Sequence, residues 1–268
     1  MSNTLIRMLI AMIVRICAVE NMDYQLIAIL VAAFLTAGVV KGIVGLGLPT
    51  VSLALLCLTF DISTAMALLL APSLLTNLWQ SFGASNPLRL FKGLWPLYCG
   101  STVSVAFGVY AFTFLNVDFV EQLLGLLLVI YAALSLPGRH FAIQEKQIGF
   151  IGGAAGSLTG ILTGLTGSFV VPSIMFLQAI RLSVAEFVQA TGLLFSLLTL
   201  SLGFSLFIAG RLSVDITMYS LSGVVPAFIG MFIGYQIRTK LKMETFRRLL
   251  DIGLLIIGFK MLLIPSSI

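Results

Sequence analysis

The sequence predicts an all-α integral membrane protein: a polytopic helical bundle of two inverted-topology repeats with about 8–10 hydrophobic segments, two of them short or broken helices. Three observations predict it. Hydrophobic residues make up 59% of the chain and charged residues only 9%, against about 25% charged in a soluble domain. Several stretches of about 17–22 residues run almost free of charge, the length with which a helix crosses roughly 30 Å of hydrocarbon. Glycine-rich motifs recur at matching places in the two halves of the chain, as an internal duplication would leave them. Alternating ten-residue segments of the outer-membrane type do not occur, so helices must do the spanning.

Residues 1–23 hold an apolar stretch broken by Arg7 and Arg15. It lacks the unbroken core and small-residue cleavage site of a signal peptide, and reads as an interfacial helix or an extra span. Apolar runs then follow at 24–45, 48–60 (short), 64–82, 94–115 and 120–136. A polar link covers 137–147. Beyond it come 148–166, 168–180 (short), 186–209, 213–236 and 245–264. The order long, short, long, long, long therefore occurs twice, giving repeat 1 at 24–136 and repeat 2 at 148–268 within a single membrane domain. Residues match as well as hydropathy. Gly38-Val-Val-Lys-Gly42-Ile-Val-Gly45-Leu-Gly47 before Pro49 parallels Gly156-Ser-Leu-Thr-Gly160-Ile-Leu-Thr-Gly164-Leu-Thr-Gly167 before Pro172, and Ser73-Leu-Leu-Thr76 returns as Ser196-Leu-Leu-Thr199.

Loop charge sets the orientation. The pairs Arg89/Lys92 and Arg139/Lys146, with the group Arg238, Lys240, Lys242, Arg247 and Arg248, hold nine of the fifteen basic residues. Loops 84–93, 137–147 and 237–248 are thus expected on the cytoplasmic side. The connections on the other side carry Glu20 and Asp23, Asp61, Asp118 and Glu121, and Asp215 with Arg211. An odd number of crossings per half then inserts the second copy upside down. Whether 48–60 and 168–180 cross fully or re-enter does not alter that parity.

The local signal with the most chemistry is the pair of glycine-rich breaks, Gly42 to Pro49 and Gly160 to Pro172. Glycine lets the backbone leave the helix, and proline suits the first turn of a new one. Free N–H groups at that new start attract an anion. The plainer reading is helix packing, because Gly38/Gly42, Gly156/Gly160, Gly160/Gly164 and Gly230/Gly234 all have GxxxG spacing. For Gly230/Gly234, packing is the expectation. The substrate-binding candidates are Lys41, Gly42, Gly45, Gly47, Pro49, Thr50, Thr76, Asn77 and Gln80 in the first copy. In the second they are Thr163, Gly164, Thr166, Gly167, Ser168, Pro172, Gln189 and Thr191.

Lys41 is the one basic residue inside an apolar stretch beside a break. It is either a substrate contact or a lysine reaching to the headgroups. Thr76 and Gln80 share a helical face with Asn77 beside them, and either line a pore or bond neighbouring helices. Glu186 and Asp251 could each carry a proton, but Glu186 is near a loop and Asp251 lies one turn from Arg247 and Arg248.

Other chemistry has little to stand on. His140 is the only histidine, which removes multi-histidine metal sites and Ser/His triads. Cys17, Cys57 and Cys99 are isolated and read as buried small side chains. Neither break has the ending of a nucleotide loop. No cofactor or metal, no enzyme activity and no nucleic-acid partner is therefore expected.

The paired glycine stretches GVVKGIVGLGLP and GSLTGILTGLTGSFVVP, the APSLLTNLWQ segment at 71–80 and the duplicated halves resemble the TauE/SafE family of sulfite-exporter-like permeases, over roughly 24–263. The first motif, Gly45-Leu-Gly47-Leu-Pro49, stands where many members carry a run of glycines. The resemblance implies export or uptake of sulfite or another sulfur-containing or organic anion across a bacterial inner membrane. The twin breaks, the inverted repeats and the missing nucleotide motif point to a secondary transporter working by alternating access, and a proton and a sodium ion are the candidate coupling ions. A membrane scaffold or accessory subunit and an anion channel are the alternatives; the oligomeric state is left open.

Overall fold

The computed structural model describes residues 24–82, 87–135, 143–180, 182–238 and 243–263, and every regular element among them is helical. The expected N-terminal segment 1–23 lies outside these residues, as do Cys17, Arg139, His140, Lys240 and Lys242. The first half comprises α1 (Tyr24–Val44), α2 (Leu48–Leu56), α3 (Ile62–Leu68), α4 (Leu70–Ser81), α5 (Pro87–Gly93), α6 (Trp95–Phe112) and α7 (Val117–Ser135). After a single 3-10 turn at Glu145–Gln147, the second half comprises α8 (Ile148–Thr166), α9 (Ser173–Ala179), α10 (Val184–Ile208), α11 (Val214–Ser222), α12 (Val224–Arg238) and α13 (Met243–Leu263).

Among the described residues, four stretches are long and apolar enough to cross a membrane: Tyr24–Val44, Glu145–Thr166, Val184–Ile208 and Val214–Arg238. The bent pair Ile62–Leu68 and Leu70–Ser81 makes a fifth when taken as one span. The fold is an all-α, multi-pass membrane bundle. At 1.5 Å per residue, the nine residues of α2 and the seven of α9 reach only about 13 Å and 10 Å. Neither crosses roughly 30 Å of hydrocarbon by itself.

Proline sets where the spans break. A proline inside a helix clashes with the carbonyl four residues back and removes one hydrogen bond. Pro72 stands four residues after Leu68, the end of α3, and the chain bends there by 43°. Pro226 stands four residues after Ser222, the end of α11. The stretches expected as unbroken at 64–82 and 213–236 are therefore each two helices. The two interruptions face one another, since the Ala71 N–H donates to Ser220 Oγ at 3.0 Å. The basic loop 84–93 also holds a helix, α5, opened by Pro87.

The helix pairings are reciprocal between the halves. α1 packs along α12 and α8 packs along α6, while α4 meets α10 and α7 meets α13. Glycine makes the first two crossings close. A Cβ at Gly38 or Gly42 of α1 would overlap the carbonyl oxygen of Ala227 or Met231, and one at Gly230 or Gly234 of α12 would overlap that of Leu35 or Val39. On the other pair, Gly156, Gly160 and Gly164 of α8 meet the carbonyls of Leu97, Ser101 and Val105. Backbones this near exchange dispersion contacts along their whole length, the main source of helix adhesion in lipid.

Two side chains stand elsewhere than the sequence suggests. Cys57 is buried but Cys99 is exposed, because the buried stripe of α6 runs through Leu97, Tyr98, Ser101, Ser104 and Val105 and leaves position 99 outside it. Glu121, assigned by its sequence position to a polar connection, is 1% exposed. α7 starts at Val117, so Glu121 falls on the same inward face as Leu124 and Leu128.

Candidate functional site

The first break is three residues long. α1 continues through Gly42 to Val44, and the Gly45 N–H closes its last turn on the Lys41 carbonyl at 2.7 Å. Gly45 and Gly47 then adopt φ of 86° and 104°, left-handed values that a side chain would strain. Gly47 caps α2, whose first turn contains Pro49, and the first amide to bond back is Val51, to the Gly47 carbonyl at 2.9 Å. The N–H groups of Leu48 and Thr50 thus face the gap without an intrahelical acceptor. The Thr50 hydroxyl is buried and has no hydrogen-bond partner.

Lys41 lies one turn before this break and is 2% exposed. Its Nζ donates to Thr76 Oγ1 at 3.3 Å and to Asn77 Oδ1. No carboxylate reaches it among the described residues. The contacts continue inward as a chain: Asn77 Nδ2 donates to Ser73 Oγ at 3.1 Å, Ser73 Oγ meets Thr199 Oγ1 at 3.3 Å, and Thr199 Oγ1 donates to the Phe195 carbonyl at 2.6 Å. A buried polar wire therefore runs from α1 through α4 to α10. It fixes the Asn77 amide, because a flipped amide would turn its NH2 toward the lysine.

Gln80 closes one side of the site. Its Nε2 lies 2.7 Å from the Gly45 carbonyl, 2.7 Å from the Val188 carbonyl and 3.3 Å from Thr191 Oγ1. From the other half, Gln189 Nε2 donates to the Ser81 carbonyl at 2.8 Å. The two glutamines tie α4 to α10 in both directions. Replacing Gln80 with Leu strands the Gly45 carbonyl, and the expected loss is about 1 kcal/mol, read as a midpoint lowered by about 2–4 °C in detergent. Trp79→Leu, at a position 63% exposed on the same helix, should leave the midpoint in place. Equal shifts in the two variants would remove Gln80 as a tie.

The second break is built differently. α8 ends at Gly167, φ 73°, and residues 168–171 form no helix before α9. Thr163 Oγ1 donates to the Ser168 carbonyl at 2.9 Å, the Ser168 N–H to Thr166 Oγ1 at 3.2 Å, and Ser173 Oγ to Thr159 Oγ1 at 2.7 Å. These hydroxyls satisfy one another locally. Thr159 occupies the place in the second motif that Lys41 holds in the first. The two breaks approach through α2: a Cβ on Gly167 would stand 3.3 Å from Leu53 Cδ1, and Leu53 is about 9 Å along the helix that Gly47 caps.

Ten of the seventeen candidates gather at the first break: Lys41, Gly45, Gly47, Pro49, Thr50, Thr76, Asn77, Gln80, Gln189 and Thr191. Thr163, Thr166, Gly167, Ser168 and Pro172 form the second. Gly42 and Gly164 lie inside helices instead, each against the backbone of a neighbouring helix, because the helical register carries on past both. Ser73, Thr159 and Ser173 complete the polar network without having been singled out, and Thr199 joins them from the looser polar set Gln189, Thr191, Ser196 and Thr199 that the second copy carries in its sequence; Thr159, Ser173 and Thr199 are recoverable from the aligned motifs, where they repeat or replace a candidate. Glu186 serves as the capping-box partner of Ser183 at the start of α10, and Asp251 is buried on α13.

No curated protein and no solved structure matches the chain. A family model described as sulfite exporter TauE/SafE matches residues 29–261, a range that contains both breaks and every element described above from the second turn of α1 to the last turn of α13. The chain therefore belongs to the sulfite exporter TauE/SafE family of membrane transporters.

Proposed function

We propose that the protein is a secondary transporter for a small anion, sulfite or another sulfur-containing or organic anion, working by alternating access between two inverted halves, 24–136 and 148–268. The observation that carries this reading is Lys41: a buried ammonium with neutral acceptors and, among the described residues, no acid, one turn before the break that leads to the open N–H groups of α2. A buried cation without a counter-charge is costly in lipid, and an anionic solute supplies the missing charge. The reciprocal pairing of α1 with α12 and α8 with α6 supports a two-fold arrangement of the kind in which secondary transporters hold substrate at the repeat interface.

In this reading the substrate-binding set is the group around Gly45–Gly47 and Lys41, with the second break as its neutral counterpart. Loops 84–93, 137–147 and 237–248 face the cytoplasm of the inner membrane, and a proton or sodium gradient drives the cycle. Purified protein in liposomes should move radiolabelled sulfite in a saturable way under an imposed proton or sodium gradient. Absence of flux under both gradients, for sulfite and for a simple sulfonate, would overturn the proposal.

A further inference from the structure

The charge available at the first break is small and can be counted. Among the described buried side chains Lys41 is the only basic one. An ammonium has three donors, and two are engaged by Thr76 and Asn77, leaving one directed elsewhere. The start of α2 adds a partial charge of roughly +0.5, expressed through only the Leu48 and Thr50 amides because Pro49 has no N–H. The backbone that carries Lys41 adjoins the start of α2: the Gly45 amide bonds the Lys41 carbonyl, and a Cβ on the capping Gly47 would lie 3.6 Å from the neighbouring Val40 Cγ1.

Thr50 is the independent sign of a ligand here. Its hydroxyl is 2% exposed at the residue level and unpartnered, and side chains in a helix lean toward the N-terminus, so it tilts into the gap. A buried hydroxyl left without a partner is costly unless something completes it. The second break adds no basic side chain, since Thr159 stands where Lys41 would be and its hydroxyl is already engaged by Ser173.

We propose that this site, on the anion-transport reading given above, selects singly charged oxyanions over doubly charged ones of the same shape. One full positive charge and a fraction of another match a monoanion. A dianion leaves about half an elementary charge uncompensated in a setting of low dielectric. The Lys41 donor, the Thr50 hydroxyl and the two α2 amides offer a small set of donors, suited to the three oxygens of a sulfonate or hydrogen sulfite group.

Methanesulfonate and sulfate test this cleanly. Both are tetrahedral and of similar size, and they differ by one charge. Each is titrated as a competitor against labelled sulfite uptake by the full-length protein in liposomes at a single pH, with equal ionic strength. Methanesulfonate is expected to compete at least about tenfold more tightly than sulfate, a factor corresponding to about 1.4 kcal/mol, and Thr50→Val should weaken methanesulfonate by several-fold without lowering the unfolding midpoint. Sulfate competing as well as methanesulfonate would overturn the charge selection while leaving anion transport intact. No labelled uptake at all would instead remove the transport reading, and the selection with it.

Discussion

Replacing Lys41 with Met is expected to lower anion affinity by about a hundredfold or more while leaving the unfolding midpoint unchanged or raised. Met matches the length of the lysine stem without its charge. The wild-type ammonium rests on two neutral acceptors in a buried setting, and a central charge costs about 2.5–3.5 kcal/mol on insertion scales. Removing it relieves that cost, offset in part by the Asn77 oxygen losing its donor. Thr76 loses little, because its hydroxyl already donates to the Pro72 carbonyl at 2.7 Å. Binding responds in the opposite direction: a charge-assisted hydrogen bond contributes about 1.5–3 kcal/mol, and the Coulomb attraction disappears with it. The measurement is competition of sulfite with its labelled form, alongside thermal unfolding in the same detergent. Lys41→Arg discriminates further, since a planar fork does not fit a pocket shaped for a compact ammonium and should not restore affinity. Retained affinity in Lys41→Met would place the substrate elsewhere, as a lysine reaching to the headgroups would imply.

Much of this architecture is legible in the sequence because each part of it has a one-dimensional cause. Apolar length marks the spans, and the helices observed at Ile148–Thr166 and Trp95–Phe112 fall within a few residues of the runs that predict them. The interruptions at Leu69 and Gly223 have a cause just as local, Pro72 and Pro226 acting on the carbonyls of Leu68 and Ser222 four residues upstream, but hydropathy passes over them because an interrupted span is as apolar as a continuous one. Glycine is ambiguous for a physical reason. At Gly45 and Gly47 the residue supplies backbone angles, whereas at Gly42 and Gly164 it supplies room for another backbone, and the letter is the same. At the site, the shared face of Thr76 and Gln80 follows from helical spacing. That Lys41 meets Thr76 and Asn77, while Gln80 reaches past it to Gly45 and Val188, depends on how α1, α4 and α10 are set against one another. No spacing rule encodes that. The orphaned Thr50 hydroxyl is likewise visible only once its surroundings are filled in.

Leucine at Gly42 or Gly164 is expected to prevent recovery of folded protein, the largest stability effect among the substitutions considered. At both positions the first atom of a side chain would overlap a carbonyl oxygen of the facing helix, Met231 or Val105, with further backbone atoms within 3 Å. Ordinary overpacking costs about 1–3 kcal/mol because side chains can yield; here the obstacle on each side is backbone, so the helices themselves must separate. Lipid gives them no hydrophobic reason to stay together once the contact is lost. Gly149→Leu and Gly253→Leu are the matched controls. Each adds the same side chain inside a helix where nothing stands within 4 Å, and each should fold as well as the parent or better, given the helix cost of glycine of about 1 kcal/mol. The readout is the monodisperse fraction on size exclusion and the unfolding midpoint. Comparable recovery of all four variants would show that the crossings tolerate separation. If Gly42 and Gly164 fail alike, α1–α12 and α6–α8 are two rigid blocks, each joining the halves. The alternating access proposed above would then have to use the places where the backbone is already released, at Gly45–Gly47 and 167–172.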